Sequence, residues 1–167
     1  MKAYLPNSYP LAKYELATDA IIEEDNLVAI NAAGKAVAAG DAANLTVCGV
    51  AVRVGDTEVE VRDGILEFAN ATGDAALTRA HRNLPAYVVD AATVGNTSTE
   101  KLIAGLVVDI YNDAAYVDCR PEAIAAAQAR HDQGAAVAAE VTPTYAAPAA
   151  ATYVAPEGGA TADTEAR

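Results

Sequence analysis

Along residues 49–71, GVAVRVGDTEVEVRDGILEFANA, apolar and polar side chains alternate with a period of two. Val50, Val52 and Val54 fall on one face, with Ala51 and Arg53 on the other. After a turn at Gly55 and Asp56, Val59 and Val61 point one way and Glu58, Glu60 and Arg62 the other. Beyond a second turn at Asp63 and Gly64, Leu66 and Phe68 resume the apolar face with Glu67 outside. This period is that of a β-strand, because successive Cβ atoms leave opposite faces of a pleated chain. An apolar and a polar face per strand predict a half-buried antiparallel ladder through this stretch.

The same logic extends in both directions. Between Asp19 and Val54, short apolar runs are separated by EEDN, NAAGK and AAGDAAN, each containing turn formers, which predicts strands over 27–30, 35–37 and 45–54. Downstream, LPAYVVDAATV and KLIAGLVVDIYNDAAYVDC add at least three more, the last two joined as a hairpin at Asn112 and Asp113. Gly105 interrupts an apolar run, and a glycine there marks a bulge or sharp bend of the kind that curved sheets require. Many short strands with no helical stretch between them predict a mainly β fold, a small antiparallel β-barrel or a sandwich.

After Cys119 the pattern changes to RPEAIAAAQARHDQG. Pro121 sits where a first helical turn tolerates it, Glu122 suits the positive end of the helix, alanines fill the middle and Gly134 supplies a stop. The prediction is one short helix over 121–133.

The two ends read differently. Residues 1–17 hold Tyr4, Leu5, Tyr9 and Tyr14 among Pro6 and Pro10, too broken by proline for a helix, and form an extended N-terminal arm. Its tyrosines either lie on the parent domain or dock on a neighbouring subunit, where Tyr offers large contact area at low entropy cost. Residues 134–167 are rich in Ala, Pro and Thr, with Tyr145 and Tyr153 each followed by a proline within three residues. Such an extended C-terminal tail cannot build its own core. The organisation is therefore arm 1–17, β domain 18–120, helix 121–133 and tail 134–167. The candidate interface residues are Tyr4, Leu5, Tyr9, Tyr14, Tyr145 and Tyr153.

Composition narrows the picture. The 167 residues fit one domain with some length to spare. Hydrophobic residues make up 53%, much of it alanine, whereas eight Tyr, one Phe and no Trp leave a light core of Val, Ile and Leu. Eleven basic against twenty-three acidic residues give a formal charge of -12, which repels phosphate backbones and anionic lipid and argues against nucleic acid or membrane partners. The N-terminal MKAYLPNSYPLAKYEL has no signal-like apolar run, and no segment approaches the roughly 20 apolar residues of a membrane-spanning helix. The expectation is a soluble compartment. Cys48 and Cys119 lie in apparent strands without zinc or redox spacing and read as buried free thiols.

No reactive constellation emerges. The histidines are His81, in the polar loop TRAHRN, and His131, at the helix end; the serines are Ser8 and Ser98, and none sits in a nucleophile motif. The histidines are read as surface residues. Lys35 after Gly34 is followed by Ala36 instead of the Ser or Thr of a phosphate loop, and Glu23, Glu24 and Asp25 lack the alternating ligands of a calcium loop and read as a solvated turn. No carboxylate pair is singled out for hydrolysis. The expectation is a protein without catalytic residues, metal or cofactor.

The order of these features has a likeness. The arm, a barrel begun by GVAV, the segment VRDGILEFANATGDAALTRAHRNLPAYVVDAATV and the closing IAGLVVDIYNDAAYVDC together resemble the small capsid decoration, or cement, proteins of tailed bacteriophages, over roughly residues 18–119. The resemblance implies a tulip- or barrel-type β domain that assembles as a homotrimer on the outer surface of the virion. Its partner would be the major capsid protein at capsomer junctions. The tail after Cys119 departs from that pattern. Competing readings are a carbohydrate-binding barrel, weakened by the scarcity of Trp and Phe, a head-fibre base and a small hydrolase.

Overall fold

The computed structural model describes residues 11–40 and 42–140, with side chains as far as Gly134. It is mainly β. The strands are β1 (Ala12–Glu15), β2 (Leu27–Ile30), β3 (Ala36–Ala38), β4 (Thr46–Val54), β5 (Glu58–Arg62), β6 (Ile65–Asn70), β7 (Pro85–Val88), β8 (Thr93–Gly95), β9 (Ile103–Tyr111) and β10 (Ala114–Asp118), followed by the helix α1 (Pro121–Glu140). β1–β5 form a five-stranded sheet in the order β1-β5-β4-β2-β3, and β6–β10 close a barrel in the order β10-β6-β8-β7-β9.

The two units are the same structure built twice. Ala12 and Tyr14 of β1 face Val61 and Val59 of β5, as Leu66 and Phe68 of β6 face Val117 and Ala115 of β10. In the β4–β5 hairpin Ala51 pairs with Val61 and Arg53 with Glu60, leaving Val52 as a bulge; in the β9–β10 hairpin Val107 pairs with Val117 and Asp109 with Tyr116, leaving Val108. The inner edges agree as well, with Val28 opposite Gly49 and Ala86 opposite Gly105, and the next residue, Cys48 or Ala104, bulged. The parallel β6–β8 pair that closes the second barrel at Asn70 and Val94 has its counterpart in a parallel bridge from Leu16 to Ala36. The first sheet is thus curled almost into a barrel itself.

Gly49 and Gly105 explain how so few strands close. Both have positive φ, 136° and 154°. A Cβ on Gly49 would lie 2.4 Å from the Arg62 carbonyl oxygen, and one on Gly105 2.0 Å from that of Asp118. Glycine lets the two strands of each hairpin approach beside a bulge, and the bulge supplies the coil that a narrow barrel needs.

The interior of the first unit holds Val28, Ala36, Ala51, Val59 and Val61, with Tyr14, Ile30 and Cys48 packed against them. At the same register positions the second holds Ala86, Val94, Val107, Ala115 and Val117, with Phe68, Val88 and Ala104. Across the five central positions Val and Ala exchange places while their total volume is kept, as close packing demands.

The opposite face of β2 and β4, carrying Leu27, Ala29, Val47 and Val50, is buried in the core of the second barrel. Being covered on both faces, β2 and β4 read as continuous apolar runs, and each large side chain on this wall contributes about 1.5–3 kcal/mol. The corresponding wall of the second barrel, on β7 and β9, lies beneath α1. There Tyr87 meets the His131 ring edge-on at 5.7 Å, and its hydroxyl lies 2.8 Å from His131 Nδ1.

Several expectations need adjustment. The stretch 49–71 is not one ladder: at Asp63–Gly64 the chain leaves the first sheet for the second, and β6 pairs with β10 and β8, not β5. Residues 12–15 of the arm are extended but belong to the sheet as its edge strand. LPAYVVDAATV is two strands, β7 and β8. Gly134 does not stop α1, because the alanines on both sides outweigh its cost of about 1 kcal/mol. The hairpin at Asn112 and Asp113 is as expected, both residues having positive φ, 49° and 60°, as a type I′ turn requires.

Where β10 runs into α1, Asp118 is buried and accepts hydrogen bonds from Arg120 Nε (2.9 Å) and the Arg120 backbone N–H (3.1 Å). Burial pushes its carboxyl upward, but these bonds and the guanidinium charge outweigh that and hold it below the ordinary carboxylate value. A depressed folded-state pKa stabilises the fold above the unfolded value and loses that contribution as pH falls through the carboxylate range. Thermal melts from about pH 5 to about pH 3 should therefore show a smaller loss of Tm for Asp118→Asn than for the wild type. Gly49→Ala and Gly105→Ala should each cost about 3 kcal/mol or more in urea titrations, whereas Gly134→Ala, with nothing within 4 Å of its Cβ, should be neutral or stabilising by up to about 1 kcal/mol.

Candidate functional site

On the flank of the second barrel, Ile65 from β6, Tyr116 from β10, Val108, Asp109 and Tyr111 from β9, and Arg82 from the preceding turn enclose a groove of about 400 Å³. The sheet dictates who faces it. Val108 is the bulged residue of β9 and is 40% exposed; Tyr111 ends the strand before the Asn112–Asp113 turn and is 56% exposed. The Tyr116 hydroxyl donates to Glu67 Oε2 at 3.2 Å, which orients its ring along the groove. Arg82 Nε donates to Asp109 Oδ1 at 3.1 Å, and that oxygen also accepts from the Ile110 N–H at 2.8 Å. The Arg82 hydrogen bond, reinforced by the backbone one, holds the Asp109 carboxyl below its ordinary value.

The first unit shows what this flank looks like without such a groove. The positions matching Glu67, Tyr116 and Tyr111 are Lys13, Glu60 and Gly55. There Lys13 Nζ lies 3.3 Å from Glu60 and 3.9 Å from Glu58, an exposed charged ladder. One backbone accepts both surfaces, so the tyrosines of the second barrel are not a folding requirement. Solvated ion pairs contribute little to stability, whereas rigid aromatic rings beside an arginine are the composition of contact surfaces.

A second cleft, of about 550 Å³, opens between the first unit and the start of α1, lined among others by Tyr14, Ile30, Cys48, Asp63, Cys119 and Ile124. Tyr14 packs against the interior of its own unit and lines this cleft, the first of the two placements expected for an arm tyrosine. Burial, then Cys48 and Asp63, raises its hydroxyl pKa. Tyr4, Leu5, Tyr9, Tyr145 and Tyr153 lie outside the described residues. Of the six candidates, Tyr14 alone lies within the described residues.

The histidines are not simply surface residues. His81 is half-buried and its Nδ1 lies 2.9 Å from the Thr78 N–H and 3.0 Å from Thr78 Oγ1, closing a capped turn; His131 is half-buried against Tyr87. Both hold loops or helix in place. Among the described residues, no group of three His, Cys, Asp or Glu side chains could hold a metal ion, and no helix is long and apolar enough to cross a membrane.

Comparison of the chain with protein-family models, with curated proteins and with solved structures finds no match.

Sequence reasoning missed both the repeat and the groove. The signal for the repeat was present in the equal spacing from Gly49 to Val61 and from Gly105 to Val117. The groove has no local signal, because its residues come from three strands and a turn.

Cys48 and Cys119 are both free; burial pushes the Cys48 thiol up to about 12 and raises that of Cys119 further. A thiolate is the reactive form. Both thiols should resist a disulfide reagent at about pH 8 in the folded protein and react within the mixing time once urea unfolds it, an expectation read directly by absorbance.

Proposed function

We propose that this is a non-catalytic structural protein of a tailed-phage virion, a decoration protein that binds the outer surface of the expanded capsid at capsomer junctions and stabilises it. The observation that carries the reading is the groove of Val108, Tyr111 and Tyr116, built on a scaffold whose other copy carries a charged ladder at the same place. The resemblance of residues 18–119 to cement proteins supports it, as does a charge of -12, which suits a surface turned away from packaged DNA.

The mechanism needs no reaction. A ligand that binds the expanded shell and not its dissociated parts stabilises the shell by mass action. Tyrosines in the groove supply buried area with two torsions each to order, and Arg82, already paired with Asp109, is pre-positioned at its rim. Further tethering by arm and tail would act through effective concentration, so that individually weak contacts release slowly.

The exposed Tyr111 and half-buried Tyr116 beside a charged pair also favour a second reading, a carbohydrate-binding module, since sugar rings stack on aromatic faces. One experiment separates the two. Co-sedimentation with expanded heads stripped of decoration should show saturable binding and heads that survive higher temperature, and Tyr111→Ala with Tyr116→Ala should weaken binding about thirtyfold, equivalent to about 2 kcal/mol. Absence of binding to heads at any salt concentration, together with glycan-array binding lost in the same variant, would replace the cement reading with the carbohydrate one.

A further inference from the structure

The repeat places one loop at the same corner of each unit. In the first it reads Ile21-Ile22-Glu23-Glu24-Asp25-Asn26, in the second Arg79-Ala80-His81-Arg82-Asn83-Leu84. The backbone fixes the correspondence. The Asp25 N–H donates to the Ala51 carbonyl and the Ala51 N–H to that of Asn26, both at 2.9 Å; likewise the Asn83 N–H donates to Val107 at 2.8 Å and the Val107 N–H to Leu84 at 3.0 Å. Asp25 and Asn83 share a left-handed φ, 68° and 61°. From Glu24 to Asn26 and from Arg82 to Leu84 the corners share one backbone shape, whereas Arg79–His81 add a 3-10 turn that residues 21–23 lack, and the two corners carry opposite charge.

The basic corner is reinforced from α1, where Arg130 Nη1 donates to the Asn83 carbonyl. Arg79, Arg82 and Arg130 thus gather on one side of a protein with only eleven basic residues and a charge of -12. Arg79 and Arg82 are exposed and hydrogen-bond within their own unit, to the Ile110 carbonyl and to Asp109. Each corner also holds a large apolar side chain in solvent, Ile21 at 83% exposure and Leu84 at 44%. A chain this acidic repels its copies over most of its surface, so attraction between copies requires a basic site facing an acidic one.

We infer that the two corners are the halves of a head-to-tail contact between copies of this chain, Ile21, Glu23 and Glu24 of one copy meeting Arg79, Arg82 and Leu84 of the next. Such a heterologous contact closes into a ring when its rotation permits. Arg82 also stands at the rim of the groove described above, but the test contains no heads or glycans, so its outcome does not depend on what the assembly binds.

The test is sedimentation of the full chain with two charge-reversed variants, Glu23→Arg with Glu24→Arg, and Arg79→Glu with Arg82→Glu. The wild type should form oligomers at about 50 mM salt that dissociate at about 500 mM, as the Debye length shortens. Each variant alone should associate about tenfold more weakly or worse, since like charges then meet. An equimolar mixture should regain assembly, because the all-basic corners of one variant meet the all-acidic corners of the other. A wild type monomeric throughout, single variants that assemble normally, or a mixture of folded variants that stays monomeric would each overturn the inference. If loss of the Arg82–Asp109 pair unfolds the second variant, Arg79→Glu with Leu84→Ser, which keeps that pair, should by itself weaken assembly, and its normal assembly would overturn the inference.

Discussion

The fold depends on two places where one strand's backbone presses against its neighbour's carbonyl. Gly49 at Arg62 and Gly105 at Asp118 leave no room for a Cβ, and each lies beside a bulge on either edge of its strand. Five strands enclose a very narrow cylinder, so each must coil sharply, and a long strand can do so only where the ladder is broken and the chain takes a φ that side chains disfavour. The light composition follows from the same geometry. An interior this narrow is filled mostly by Ala and Val with a single ring, Tyr14 in one unit and Phe68 in the other.

A small barrel has a further problem, since its outer wall is also part of a sheet that must be covered. In the first unit the β2–β4 wall is covered by the second barrel, and in the second the β7–β9 wall is covered by α1. The helix therefore does for the last unit what the next unit does for the first, as terminal caps do in repeat proteins. This accounts for an alanine-rich helix following ten strands. Small residues such as Ala123 and Ala127 let the helix lie close, while Tyr87 and His131 clasp its later turns.

Much of this was legible in the sequence. Period-two alternation located the hairpins, Gly105 announced a bend, Asn112–Asp113 a tight turn and Pro121 a helix start, because each is a local rule acting on neighbouring residues. What sequence could not supply was the partner of each strand. The break at Asp63–Gly64 looks like any hairpin turn, yet it carries the chain from one sheet to the other, and only the pairing of β6 with β10 distinguishes the two. The groove has no local signal for a similar reason. Tyr111 and Tyr116 sit in strands, where an aromatic residue ordinarily signals packing, and that they line a groove depends on which face of a closed barrel they occupy.

The repeat also provides an internal reference for deciding which surface residues matter. Positions that are alike in both units, such as the two close-approach glycines and the facing Val61 and Val117, answer to the backbone they share. Positions that differ while the backbone stays the same answer to something outside the fold. The flank that is Lys13 and Glu60 in one unit and Glu67 and Tyr116 in the other is such a position, and so is the corner that is Glu23–Glu24 in one and His81–Arg82 in the other. Exposed charges at these places have little effect on folding free energy, so stability alone would let both units keep the same residues. That they are opposite in polarity on the flank and in charge at the corner separates the two units in chemistry while leaving them alike in shape, which is what a molecule needs in order to present two different contacts from one repeated scaffold.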